Sequence, residues 1–97
     1  MRLRFEWDDL ENASNLKKHG IDFVAATRVF EDPYFIMEQD REVDDEERWK
    51  TIGKAGDVTL LVVAHTVADE EEDLVYRIIS ARTAEGHERR IYEANTH

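Results

Sequence analysis

The side chains able to do chemistry in this 97-residue chain are arginines, histidines, tyrosines and many carboxylates, because cysteine is absent. Thiolate zinc sites and disulfides are thereby excluded. Four histidines and 23 acids invite a search for another metal site. His19, His65, His87 and His97 show no spacing that puts two on one helix face. The acidic stretch starting at Asp40 fails the calcium-loop pattern, with Asp45 where glycine is required and Thr51 where a bidentate glutamate must stand. No metal and no other cofactor is expected. The cations are more informative. Arg77 lies inside the apolar run LVYRIISAR (74–82), which Arg82 ends. Strict alternation points the two to opposite faces, so they converge only across a bulge or a strand end. Otherwise Arg77 faces solvent or pairs across the sheet with an acid. Glu88, Arg89 and Tyr92 share a helix face by their spacing. A tyrosine or histidine to move a proton, beside arginine to hold a charged phosphate, suits metal-free cleavage of RNA. The same pair also serves simple packing. His65, near the end of an apolar run, reads either as a hydrogen-bonded histidine at the core's edge or as a proton-transfer group.

Charge decides whether such a site could meet a polyanion. The chain carries 23 acids against 13 Lys and Arg, a formal net of −10, which read whole argues against nucleic acid. Residues 38–47 and 69–73 together hold twelve of those acids and one base, so the rest carries 11 acids and 12 bases. The acidity belongs to two segments. The composition, 41% hydrophobic and 37% charged, excludes a disordered chain and a membrane protein. The N-terminus lacks a signal-peptide run, nothing approaches a membrane span, and a cytoplasmic protein is expected.

The elements that must position these residues follow from periodicity. RLRFEW (2–7) alternates as a strand. Asp8 or Asp9 caps a helix in which Leu10, Ala13 and Leu16 recur at helical spacing. Lys17, Lys18 and His19 suit its C-terminal dipole, and Gly20 ends it. Asp22 caps a second helix, FVAATRVFED (23–32), stopped by Pro33. Strands are expected over 34–38, 48–54, 58–66 and 74–82, with the 58–66 strand central and most buried and the two acidic segments as loops. AEGHERRIYEAN reads as a terminal helix. The expected fold is a single α+β domain over residues 1–97. An antiparallel sheet packs with an N-terminal helical hairpin and a C-terminal helix, in the order strand, two helices, four strands, helix.

The strings FEWDDLENASNLKKHGIDFVAATRVFEDP (5–33), EERWKTIG (46–53), LLVVAHT (60–66), RIISART (77–83) and ERRIYE (88–93) closely resemble the BrnT family, the toxins of bacterial type II toxin–antitoxin pairs. The resemblance runs through nearly the entire chain in order. It implies a RelE-like fold and a metal-independent ribonuclease that inhibits translation. It also implies a ribbon-helix-helix antitoxin partner, BrnA, through which alone DNA is bound, and it implies no membrane. Carried over by motif, the catalytic set is His19, Arg48, Arg77, Arg82 and Tyr92, with Lys18, Glu47, Glu88 and Arg89 binding substrate. Arg48, Arg77 and Arg82 would hold phosphate, His19 or Tyr92 would move protons, Lys18 would support phosphate and Glu88 would orient an arginine. The sequence departs from the family in its acidic insert VADEEEDLVY and in Gly86-His87, where basic residues are common. The competing reading is a non-catalytic interaction module that holds a DNA-binding partner and regulates an operon. The ribonuclease reading needs the cations of the first helix, the sheet and the last helix to gather in one cleft.

Overall fold

A computed structural model describes residues 2–57 and 59–96. Met1, Val58 and His97 lie outside it, and with them the first residue of the expected 58–66 strand and one of the four histidines. The elements in order are β1 (Arg2–Glu6), α1 (Asp9–His19), α2 (Phe23–Thr27), a 3-10 turn (Arg28–Glu31), β2 (Ile36–Val43), β3 (Glu46–Ala55), β4 (Thr59–His65), β5 (Ala68–Glu70), β6 (Asp73–Thr83) and α3 (Gly86–Ala94). Local chemistry explains the helix ends. The Asp8 carboxylate accepts from the Leu10 and Glu11 amides, and Asp22 accepts from the Ala25 amide. Gly20 closes α1 at φ 73°, where a side chain is disfavoured. The expected second helix is split into α2 and the 3-10 turn, and Asp32 before Pro33 is extended.

Two segments expected as loops are strands. Residues 38–47 form the turn end of a β2–β3 hairpin, turned at Asp44 and Asp45 with φ 52° and 64°. Both sit in the left-handed region that two-residue hairpins need and that aspartate tolerates. The acids are solvated side chains on a paired backbone. The second acidic run begins as β5, turns at Glu71 (φ 59°) and pairs back onto β6. The sheet order is β1-β6-β4-β3-β2, with β5 also on β6. It is mixed rather than antiparallel throughout, because β1 runs parallel to β6. The two helices between them supply the crossover that a parallel neighbour requires. β4 lies between β6 and β3 and is buried on both faces, as its composition demands.

One sheet face carries the main core of Phe23, Ala26, Val29, Leu61, Val63, Ile78 and Ala81. Gly53 is needed beneath it, since a Cβ there would come 3.0 Å from the Val29 carbonyl oxygen and 3.2 Å from Phe35 Cβ. The other face holds a smaller cluster of Ile52, Leu60, Val62 and Tyr92 under α3.

The face α1 turns inward is the reverse of that expected. Leu10 is 81% exposed and Leu16 49%, while Asn15 is buried. β1 ends its pairing at Arg77, so the backbone of Ala81 further along β6 lacks a strand neighbour on that side. The Asn15 carboxamide takes that place, donating to the Ala81 and Ile21 carbonyls (2.8 Å each) and accepting from the Ala81 amide (3.1 Å). Asn12 accepts from the Phe23 amide. Each buried backbone group stranded by loss of such a partner costs about 1–3 kcal/mol. Asn15→Leu is therefore expected to lower unfolding free energy by at least about 2 kcal/mol in urea titrations, although it enlarges the apolar surface of α1. Unchanged stability would show that water replaces the carboxamide.

Candidate functional site

The sheet face opposite the main core is only partly covered by α3, and the cations collect on what remains. Along β3, alternation sends Glu46, Arg48 and Lys50 to this face together with Ile52. On β6, Ile78 and Ala81 both belong to the main core, so Arg77 and Arg82 both point away from it. The spacing that seemed to separate them is corrected by a bulge: His65 pairs with Ile78 and Ala64 with Ser80, leaving Ile79 as the extra residue.

Arg77 donates from Nη2 to Glu46 Oε1 at 2.6 Å, and Arg48 Nε lies 3.7 Å from the same oxygen. Arg48 Nε is buried and has no hydrogen-bond partner. One carboxylate thus faces two guanidiniums, leaving a surplus positive charge at this face. Lys50 pairs with Glu38 at 3.5 Å beside them. Glu47, the carboxylate that the family resemblance implies, is sent to the opposite face by alternation; Glu46 is the carboxylate on the arginines.

Arg82 is held differently. Its two terminal nitrogens donate to both oxygens of Glu88 at 2.7 and 2.8 Å, and Glu88 is buried on α3. Glu88 also accepts from the Glu85 amide at the helix start. The Arg82 hydrogen bonds hold the Glu88 carboxyl down at about 2, and Glu88 in turn raises the Arg82 guanidinium. Glu88 satisfies the Arg82 fork and ties the last helix to the last strand.

Tyr92 lies at the far end of the sheet. Its hydroxyl donates to Asp32 Oδ2 at 2.6 Å, and the same carboxylate accepts from the Lys54 and Tyr34 amides. Burial, then the Asp32 hydrogen bond, pushes the phenol up to about 12. Burial alone would raise Asp32, but the bonds from Tyr92, Lys54 and Tyr34 outweigh it and lower its pKa. Arg89 is exposed and lines a groove with Tyr92 and Lys54. Lys18 and His19 line a separate groove between α1 and β6 with Ile79 and Ser80. The expected single cleft from first helix, sheet and last helix is therefore dispersed, because α1 sits beside β6 where Asn15 anchors it.

His65 is fully buried, stacked on Tyr76 at 4.8 Å and edge-on to Phe30 at 5.1 Å. Its Nδ1 donates to the Thr66 carbonyl, which can only accept, so Nε2 takes the Thr51 hydroxyl proton in the neutral ring. Burial lowers its pKa below the ordinary 6.5. A depressed histidine leaves its full contribution above the unfolded pKa and loses it as pH falls through that value. Thermal melts are accordingly expected to drop as pH falls below about 6.5, and to flatten in His65→Gln. A wild-type melting temperature flat between pH 7.5 and 5 contradicts this.

Among the described residues no three His, Asp or Glu side chains cluster as metal ligands, and no helix is long and apolar enough to cross a membrane. The family described as ribonuclease toxin, BrnT, of type II toxin–antitoxin system matches residues 7–88. Among solved structures the chain is similar to the 1.1 Å crystal structure of the Brucella abortus ribonuclease toxin, BrnT. The TM-score is 0.61 at 21% identity, over 86% of this chain and 97% of that one. No curated protein matches the sequence. The structural likeness establishes a shared fold.

Proposed function

This chain belongs to the BrnT family of ribonuclease toxins of type II toxin–antitoxin systems, and from that membership we propose that it cleaves RNA without a metal ion at the open sheet face around Arg48 and Arg77. Cleavage in the cytoplasm would inhibit translation. The observation that carries the site is the pair of guanidiniums sharing the single Glu46 carboxylate. Such a donor set fits a phosphate whose charge grows during reaction.

The reaction is attack of a ribose 2′-oxygen on the adjacent phosphorus. The O2′–P bond forms, the P–O5′ bond breaks, and a 2′,3′-cyclic phosphate remains. Arg48 and Arg77 hold the non-bridging oxygens. Glu46 is the carboxylate beside them and is assigned the 2′-hydroxyl proton, while water protonates the departing 5′-oxygen. Tyr92 is ill suited as a base, since its hydroxyl is already given to Asp32 and held up at about 12. His19 belongs to the α1 groove with Lys18. Arg82 and Glu88 act as the strut that fixes this face, and Arg89 lies beyond it in the groove beside Tyr92.

The family implies an antitoxin partner; a ribbon-helix-helix protein of the BrnA type, through which DNA is bound, is the partner proposed. The direct test is purified protein with single-stranded RNA, with and without EDTA. Cleavage insensitive to chelator, with cyclic phosphate ends, is expected. Chelator-sensitive cleavage overturns the metal-free route, and absence of cleavage favours the interaction-module reading.

A further inference from the structure

A second surface, three cations set among the four acids Glu31, Asp32, Asp57 and Glu93, lies beyond the proposed cleavage face. Two grooves of about 450 and 440 Å³ adjoin one another and share Tyr34, Lys54 and Asp57. Arg28 lines the first and Arg89 the second. Volumes of this size accommodate a nucleotide-sized ligand. The cations here differ from those on the sheet face. Arg2, Arg4, Arg48, Lys50, Arg77 and Arg82 each have a carboxylate within 4.0 Å. Among the described residues Arg28, Lys54 and Arg89 have none, and all three open onto these grooves.

Between them stands Tyr34, a large aromatic left 52% exposed. Its place is fixed from below. Asp32 accepts from the Tyr34 amide at 2.9 Å through one oxygen, and from the Lys54 amide at 2.8 Å and the Tyr92 hydroxyl at 2.6 Å through the other. One carboxylate therefore sets the backbone that carries the exposed ring, the backbone that carries the free lysine, and the last helix. Exposed aromatics interleaved with unpaired cations form the stacking platform and backbone clamp of single-strand binding. The acids on the rim, Glu31, Asp57 and Glu93, disfavour a second phosphate, and a carboxylate there accepts from a base-edge amino group.

We infer that these joined grooves bind one nucleotide of single-stranded RNA flanking the cleavage point, its base stacked on Tyr34 and its phosphate held by Lys54 and Arg89. The inference rests on the RNA-cleaving reading of the sheet face and adds a separate binding site to it. Lys54 stands six residues along β3 from Arg48, roughly 20 Å at the rise of a strand. The site thus reads a nucleotide several positions away and selects strand length and flanking sequence.

The test compares two RNA substrates, one truncated to the dinucleotide that carries the scissile phosphate and one continuing several nucleotides beyond it on either side. In Tyr34→Ala and in Lys54→Ala, KM for the longer strand is expected to rise about tenfold more than KM for the truncated one. Tyr34→Trp is expected to restore binding. Equal losses on both substrates, or none, overturn the inference. Circular dichroism and melting of Tyr34→Ala provide the folding control. Should no substrate be cleaved, the same variants are titrated against a fluorescent 2′-O-methyl RNA that cannot react. Affinity about tenfold weaker in Tyr34→Ala upholds the binding site while the nuclease reading fails, and unchanged affinity overturns it. Uridine or adenosine monophosphate binding as tightly as the oligonucleotide shows a free-nucleotide site and also overturns the inference.

Discussion

Arg77→Ala is expected to lower the rate of RNA cleavage by about 10²–10³ while leaving the protein folded. The size follows from the geometry of its surroundings. Arg77 and Arg48 face one carboxylate, so removing Arg77 returns the site to neutrality just where a phosphorane needs compensating charge. The folded state loses little, because Arg77 is 41% exposed and its ion pair with Glu46 lies at the surface. Exposed pairs contribute about 0–1 kcal/mol. Arg77→Lys keeps the charge but cannot reproduce the planar fork, and should recover only part of the rate. Single-turnover cleavage alongside urea denaturation separates rate from stability. A folded Arg77→Ala enzyme with wild-type rates defeats the assignment of this face.

Arg82→Ala should behave in the opposite manner and cost about 3–5 kcal/mol of stability, toward the lower end because Arg82 itself is partly exposed. The penalty comes from Glu88, which is 2% exposed and would be left as a buried anion with the Glu85 amide as its remaining hydrogen bond. Glu88 predicts its own pH window. Its carboxyl is held at about 2 against an ordinary 4.5. A depressed acid contributes fully above its unfolded pKa and loses that contribution as pH falls toward the folded value. Denaturation midpoints should thus decline between about pH 4.5 and 2 in the wild type. The double variant Arg82→Ala/Glu88→Ala should recover part of the loss, the sign of coupling within a pair. If Arg82→Ala keeps full stability and loses cleavage, Arg82 holds phosphate and is no strut.

Several of these assignments were legible in the residues alone, and the rest were hidden for physical reasons. Capping by Asp8, Asp22 and Gly20 placed two helices, and the doubly apolar LLVV run placed the central strand, since each signal is local. The acidic hairpin was obscured because composition reports side-chain solvation and not backbone pairing; Asp44 and Asp45 were its only turn marks. The outward turn of Leu10 was invisible because the need for Asn15 arises from Ala81, far along the chain. The convergence of Arg77 and Arg82 required the bulge at Ile79, which no periodicity records. Tyr34 and Lys54 went unnoticed because Asp32 joins them through backbone amides, whose sequence signal is an aspartate before proline and nothing more.

The parallel pairing of the first strand with the last carries a consequence for how the protein comes into being. Arg2 through Glu6 find their partners at Asp73 through Arg77, and Asn15 waits for Ala81. Contacts of such long sequence separation close late and slow folding. During synthesis the N-terminal strand and helix emerge long before anything exists for them to join. Arg77 arrives within the very strand that completes the sheet, so a nascent chain has no phosphate face at all. The surface proposed to cut RNA comes into being only once β6 has been made and has joined its neighbours in the sheet.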